Sequence, residues 1–133
     1  MQHVPGLFVT NSSERGRGVF SSIALQPGDL IEICPLIVLT PKETRLIEKT
    51  SLYDYYFLWR PQESIGCLAL GYGSLYNHSQ VPNAVVILDY QDDTIKIECC
   101  LPIEPGDEIF IDYTDGDKDD TKLWFNPEEQ SLD

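Results

Sequence analysis

Asn77-His78-Ser79, followed closely by Pro82-Asn83, sets one of only two histidines between a strand-like apolar run and a proline. An amide, an imidazole and a hydroxyl in succession can hydrogen-bond and titrate near neutrality, and beside a thiol they could serve nucleophilic catalysis. The thiols give that last chemistry no support. Cys34, Cys67, Cys99 and Cys100 form no C-x-x-C, and nothing in their spacing pairs one with His78 or His3. Cys99 and Cys100 on one strand would point to opposite faces, which also argues against a zinc knuckle or a disulfide framework. Buried, reduced thiols are the expectation.

Other motifs fail on context. Asn77-His78-Ser79 and Asn11-Ser12-Ser13 match the glycosylation sequon, but a secreted protein is not expected, and both are read as chance matches. Asp115 to Asn126 imitates a calcium loop at its first, third and fifth positions. It then places Asp120 where the sharp turn needs Gly, and Asn126 where a bidentate Glu should close the shell. Gly16-Arg17-Gly18 begins like a dinucleotide fingerprint, yet Val19-Phe20-Ser21 continues as a strand and supplies no helix N-terminus for a pyrophosphate.

The elements that must position these residues are short strands. "GLFVT", "GVFSSIAL", "DLIEICPLIVLT", "YDYYFLW", "IGCLAL", "NAVVILDY", "TIKIECCL" and "EIFIDY" are rich in β-branched and aromatic residues and punctuated by Gly and Pro. "NAVVILDY" and "TIKIECCL" flank "QDD" as a predicted hairpin. Thr40, Pro41 and Glu43 make a capping-box start for one short helix over about 41 to 50. "IALQPGDLIEI" and "LPIEPGDEIFI" echo each other, Pro-Gly supplying a type II turn before each strand. The fold class is mostly β with a short helical insert.

Composition sets the frame. A chain of 133 residues with 42% hydrophobic content suits one folded domain, residues 1–133. No apolar run approaches the roughly 20 residues needed to span a bilayer, and a soluble, intracellular protein is expected. Residues 1–60 hold six basic and six acidic side chains, and residues 61–133 hold three against sixteen, so the net charge of −13 lies in the second part. Such a surface repels nucleic-acid phosphates and attracts a Lys/Arg-rich partner, or simply keeps the chain in solution.

Taken together, "RGRGVF", "NHSQVPN" and "PGDEIFIDY" stand in the order and at the spacing of three signatures. In them the chain resembles the SET-domain protein lysine methyltransferases over roughly residues 13 to 115, leaving an acidic tail, 116–133. Tyr55-x-Phe57 adds modest support. The resemblance implies several small β-sheets with a C-terminal pseudoknot that brings the 77–79 segment against the strand ending in Asp112-Tyr113. It implies methyl transfer from S-adenosylmethionine to lysine in a basic, histone-like or ribosomal protein. Tyr113 is the implied catalytic residue. Gly16, Arg17, Gly18, Asn77 and His78 are the implied cofactor residues, with an absent Cβ letting the glycine backbone approach the cofactor, and with the His78 imidazole buried where the strands cross. Tyr55, Tyr72 and Tyr76 are the implied walls of a lysine channel.

Departures carry information as well. Gln80 stands where many relatives have a zinc-binding Cys, and no Cys follows Cys100, so no metal is expected. Trp124 and Phe125 then either cover the active site or anchor the tail on another apolar surface. Asp115 occupies the position where relatives often carry an aromatic that tunes the number of methyls. A SET-like module that binds a basic partner without transferring methyl is the alternative, and an acidic interaction domain of unrelated β fold is a third reading.

Overall fold

The computed structural model describes residues 2–12 and 16–112. Within them, nine strands and one α-helix form where the sequence alternates apolar residues between turn formers. Tyr113, Asp115, Trp124 and Phe125 lie outside the described residues.

The larger sheet has five strands in the order β4 (Tyr56–Arg60), β5 (Ile65–Ala69), β3 (Leu30–Val38), β8 (Thr94–Cys99) and β7 (Ala84–Asp89). Strand β8 alternates strictly, with Ile95, Ile97 and Cys99 at most 1% exposed, which is how a half-buried strand fills a core. The predicted hairpin is present: β7 and β8 pair from Ala84↔Cys99 to Asp89↔Thr94. Asp89 closes its turn by accepting the amides of Gln91 at 3.0 Å and Asp92 at 3.1 Å. The helix α1 (Pro41–Ile47) carries the expected capping box. It ends three residues before the expected boundary, and Thr50 instead caps a 3-10 turn over Ser51–Asp54.

The smaller sheet runs β1 (Leu7–Ser12), β2 (Gly16–Ser21), β9 (Glu108–Ile111) and β6 (Asn77–His78). Its last pair is parallel, with Asn77↔Phe110 and His78↔Ile111 in register, and it joins pieces of chain far apart in sequence. This is the crossing that the resemblance implies.

The two echoing segments meet. Leu25 and Ile103 exchange both backbone hydrogen bonds at 2.9 Å, an antiparallel bridge with local two-fold character. Each adjoining Pro-Gly turn is closed the same way: the Asp29 and Asp107 amides donate to Gln26 and Glu104 at 3.0 Å, and their carboxylates accept the amides of those same residues. Gly28 and Gly106 sit at φ +96° and +93°, a region that favours glycine. The turn before β9, and hence the register of β9 at the crossing, is therefore buttressed by its counterpart before β3.

Candidate active site

The crossing is held by side chains bonding to backbone. The Asn83 side chain acts as a surrogate strand residue: the Phe110 amide donates to its Oδ1 at 2.7 Å, and its Nδ2 donates to the Glu108 carbonyl at 2.9 Å. The Asn83 backbone carbonyl also accepts the Cys100 amide at 2.9 Å, tying β9 to the end of β8. Pro82-Asn83 is thus a clamp on the strand that leads to Tyr113.

Asn77 sits on the other side of β9. Its Nδ2 donates to the Arg17 carbonyl at 3.0 Å and to Glu108 Oε2 at 2.7 Å. Two of the three sequence motifs are therefore in direct contact, and the third supplies the carboxylate between them. Gly18 makes this possible, because a Cβ there would strike the Glu108 carboxylate and come within 2.7 Å of Asn77 Nδ2. The absent side chain makes room for these two groups, a reason the sequence reading did not identify. Gly16 is different: it has open space around it and a φ of +74°.

His78 shares the parallel ladder with Ile111, and its Nδ1 lies 3.7 Å from Asp112 Oδ1, with both side chains more than a quarter exposed. The imidazole was expected to be buried. It does bridge the crossing pieces, but from the rim, because β6 is an edge strand of only two residues. Asp112, the last described residue before Tyr113 in the chain, thus lies beside His78.

The aromatic residues separate into two kinds. Tyr55 is exposed, and its carbonyl accepts the Ser74 hydroxyl at 2.8 Å, which ties the start of β4 to the turn leading into Asn77. Tyr72 is half-buried and packs against the ring of His3 at 5.5 Å. Tyr76 corrects the expectation of three channel walls, because it is 1% exposed and its hydroxyl donates to Glu32 Oε1 at 2.6 Å. Its phenol is spent inside the core. Burial, and then the Glu32 charge, push its pKa well above the usual phenol range.

Glu32 and Glu108 were not singled out from the sequence, yet they organise the site. Glu32 is 2% exposed and also accepts the Tyr72 amide at 2.9 Å. Gly71, at φ +69°, has no Cβ to strike that carboxylate. The available signal was a lone acid in the apolar run Ile31-Glu32-Ile33. For Glu108 it was the position inside "PGDEIFIDY".

Cys34, Cys67 and Cys99 are buried, Cys100 is half-buried, and none is in a disulfide. Among the described residues no group of three or more His, Cys, Asp or Glu side chains could hold a metal ion. None of the helices there is long and apolar enough to cross a membrane.

Comparison with known proteins agrees with this geometry. The family model described as the SET domain matches residues 16–114. A histone-lysine N-methyltransferase of Schizosaccharomyces pombe, specific for lysine 37 of histone H3, is 30% identical over 126 residues, spanning 94% of this chain and 80% of that protein. The crystal structure of a candidate histone methyltransferase from Plasmodium falciparum superimposes with a TM-score of 0.70 at 32% identity, over 85% of this chain and 95% of that one. The Neurospora SET-domain histone lysine methyltransferase DIM-5 shares the fold at a TM-score of 0.66 and 17% identity, over 92% of this chain and 57% of that one.

Proposed function

The chain belongs to the SET-domain family of protein-lysine methyltransferases, and from that premise we propose that it transfers methyl groups from S-adenosylmethionine to a lysine of a basic, histone-like protein. The observation that carries this reading is the contact of Asn77 with Arg17 and Glu108 at the β2–β9–β6 crossing. It brings Asn77 and the backbone of Arg17 together against β9, the strand that leads to Tyr113. The residues fit the amino-acid end of that cofactor: Asn77 Oδ1 and the glycine-flanked backbone of 16–18 offer polar groups with little side-chain bulk in the way.

The bound cofactor supplies a methyl group on a positively charged sulfur, open to in-line attack by an amine. The chain's own residues must present that amine neutral, aligned and dry. Free lysine titrates near pH 10.4, and drawing it between phenol rings beside a positive charge lowers that value. A strong general base is then unnecessary. In this reading Tyr55 and Tyr72 line the lysine approach, Tyr113 hydrogen-bonds the amine so that its lone pair faces the methyl carbon, and the His78 backbone helps hold the adenine. The acidic second part of the chain draws the basic substrate toward the site.

The test is labelled-methyl transfer to histone and ribosomal peptides, with cofactor affinity measured separately. Replacing Tyr113 by Phe should lower turnover roughly a hundredfold or more while leaving cofactor affinity nearly unchanged. A Tyr113→Phe variant working at the parental rate rejects that assignment. A parent that binds the cofactor and transfers no methyl to any peptide or lysate protein is instead a SET-like binding module.

A further inference from the structure

We propose that Glu108 is a specificity-determining residue, an anionic acceptor that selects the ammonium group on the cofactor's amino-acid end and fixes the Asn77 amide for the same task. This rests on the reading of Asn77 as a cofactor residue and deepens it.

The orientation of Asn77 follows from its partners. Both Nδ2 hydrogens are committed, to the Arg17 carbonyl at 3.0 Å and to Glu108 Oε2 at 2.7 Å. Turning the amide over would set its oxygen against a carbonyl and a carboxylate, two acceptors with nothing to donate. Oδ1 is therefore the atom left for a ligand, and it can only accept.

Glu108 adds charge to the same spot. Its carboxylate is partly buried, takes one hydrogen bond from Asn77, and makes no ion pair among the described residues. A carboxylate with one hydrogen bond and no cation keeps acceptor capacity for a ligand that brings one. Asn77 Oδ1, the Glu108 carboxylate and the Arg17 carbonyl are three acceptors gathered at one amide, with the charge of Glu108 among them. That grouping suits a primary ammonium and repels a carboxylate. The geometry is protected by Gly18, because any side chain there would displace the Glu108 carboxylate. The acid and the glycine therefore form one device split between two motifs.

Calorimetry without peptide substrate isolates this effect from recognition of the target lysine. The probes are S-adenosylhomocysteine and its deaminated counterpart, in which a methylene replaces the carbon bearing the ammonium. The parent should bind the deaminated thioether roughly tenfold to a hundredfold more weakly, the range for a charge-assisted hydrogen bond. Glu108→Gln should lose roughly tenfold or more in affinity for S-adenosylhomocysteine and change by less than about threefold for the deaminated compound. Glu108→Asp, which keeps the charge on a shorter stem, should restore part of the discrimination. Equal losses for both thioethers in Glu108→Gln would mean a purely structural role and overturn the proposal. So would a parent that binds the two equally, whatever the variants do. A parent that binds neither rejects the cofactor reading itself.

Discussion

The five-stranded sheet and the crossing of β6 with β9 are built on opposite principles. The sheet is closed by apolar burial: Ile31, Ile95, Ile97 and Cys34 are fully buried, and its one buried carboxylate, Glu32, is answered by a phenol and a backbone amide. The crossing has one two-residue strand and is closed by amide side chains, Asn77 and Asn83, that stand in for missing ladder partners. Apolar burial has no direction and tolerates small shifts, whereas a hydrogen bond requires a donor within a few tenths of an ångström. The sheet is thus suited to stability, and the crossing to placing atoms.

That contrast gives ordered expectations. The largest effect on stability belongs to the sheet. Ile95 lies at the hairpin end of β8, opposite Cys34 and Leu88. Ile95→Ala should cost roughly 2 to 5 kcal/mol in urea unfolding, while the protein still folded at low temperature keeps its cofactor affinity. Next comes the crossing: Asn83→Ala removes both side-chain bonds to β9 and should cost roughly 2 to 4 kcal/mol. Here affinity should fall even where the chain remains folded. If the two variants lose affinity in proportion to their stability, the division between the regions does not hold.

The sequence made the two regions legible to different degrees. The existence of the strands, the capping box and the hairpin follows from local periodicity and turn chemistry, whereas some bounds do not: "GVFSSIAL" ends as a strand at Ser21, and the start of "YDYYFLW" belongs to the 3-10 turn over Ser51–Asp54. The crossing could not be derived that way, because two residues carry no periodicity and their partner strand lies some thirty positions on. It was reached only through resemblance of the motifs. Glu32 and Glu108 escaped because burial and partners are properties of the fold. A lone acid in an apolar run is silent until Tyr76 and Tyr72 are folded around it, and Gly18 explains itself only once Glu108 is beside it. Tyr76 misled for the same reason, since its type suits a channel wall and only the packing shows where its hydroxyl is spent.

A smaller effect sharpens the account of the sheet through pH. Burial pushes the Cys67 thiol from its ordinary 9.0 up to about 12. The folded state therefore keeps this proton where the unfolded chain releases it. A raised folded pKa contributes stability that is complete below about pH 9 and is lost as pH rises from 9 toward 12, at roughly 1.4 kcal/mol per pH unit for one group. Cys67→Ala lacks this titration. Under reducing conditions its deficit in unfolding free energy relative to the parent should shrink by about that amount per unit above pH 9. A deficit that stays constant to pH 11 would mean that the thiol is more hydrated than its burial suggests.

The smallest expected effect tests whether the helical insert belongs with either region. Thr40 Oγ1 accepts the Glu43 amide at 3.0 Å, and Glu43 Oε1 accepts the Thr40 amide at 2.9 Å, both at the surface. One turn deeper, Thr44 Oγ1 donates to the Thr40 carbonyl at 2.9 Å and accepts the Gly66 amide at 3.0 Å, which is how α1 is fastened to β5. Thr40→Ala should leave the Thr44 link intact and cost about 1 kcal/mol, the usual loss for an N-cap. Cofactor affinity and turnover should be unchanged, because α1 is fastened to β5, and β5 leads into the crossing through the 3-10 turn at Gly73–Leu75 that precedes Asn77. A change in affinity on Thr40→Ala would show strain passing from α1 through β5 and that turn to the amide of Asn77. The boundary between a stabilising sheet and a positioning crossing would then have to be redrawn to place the insert on the active-site side.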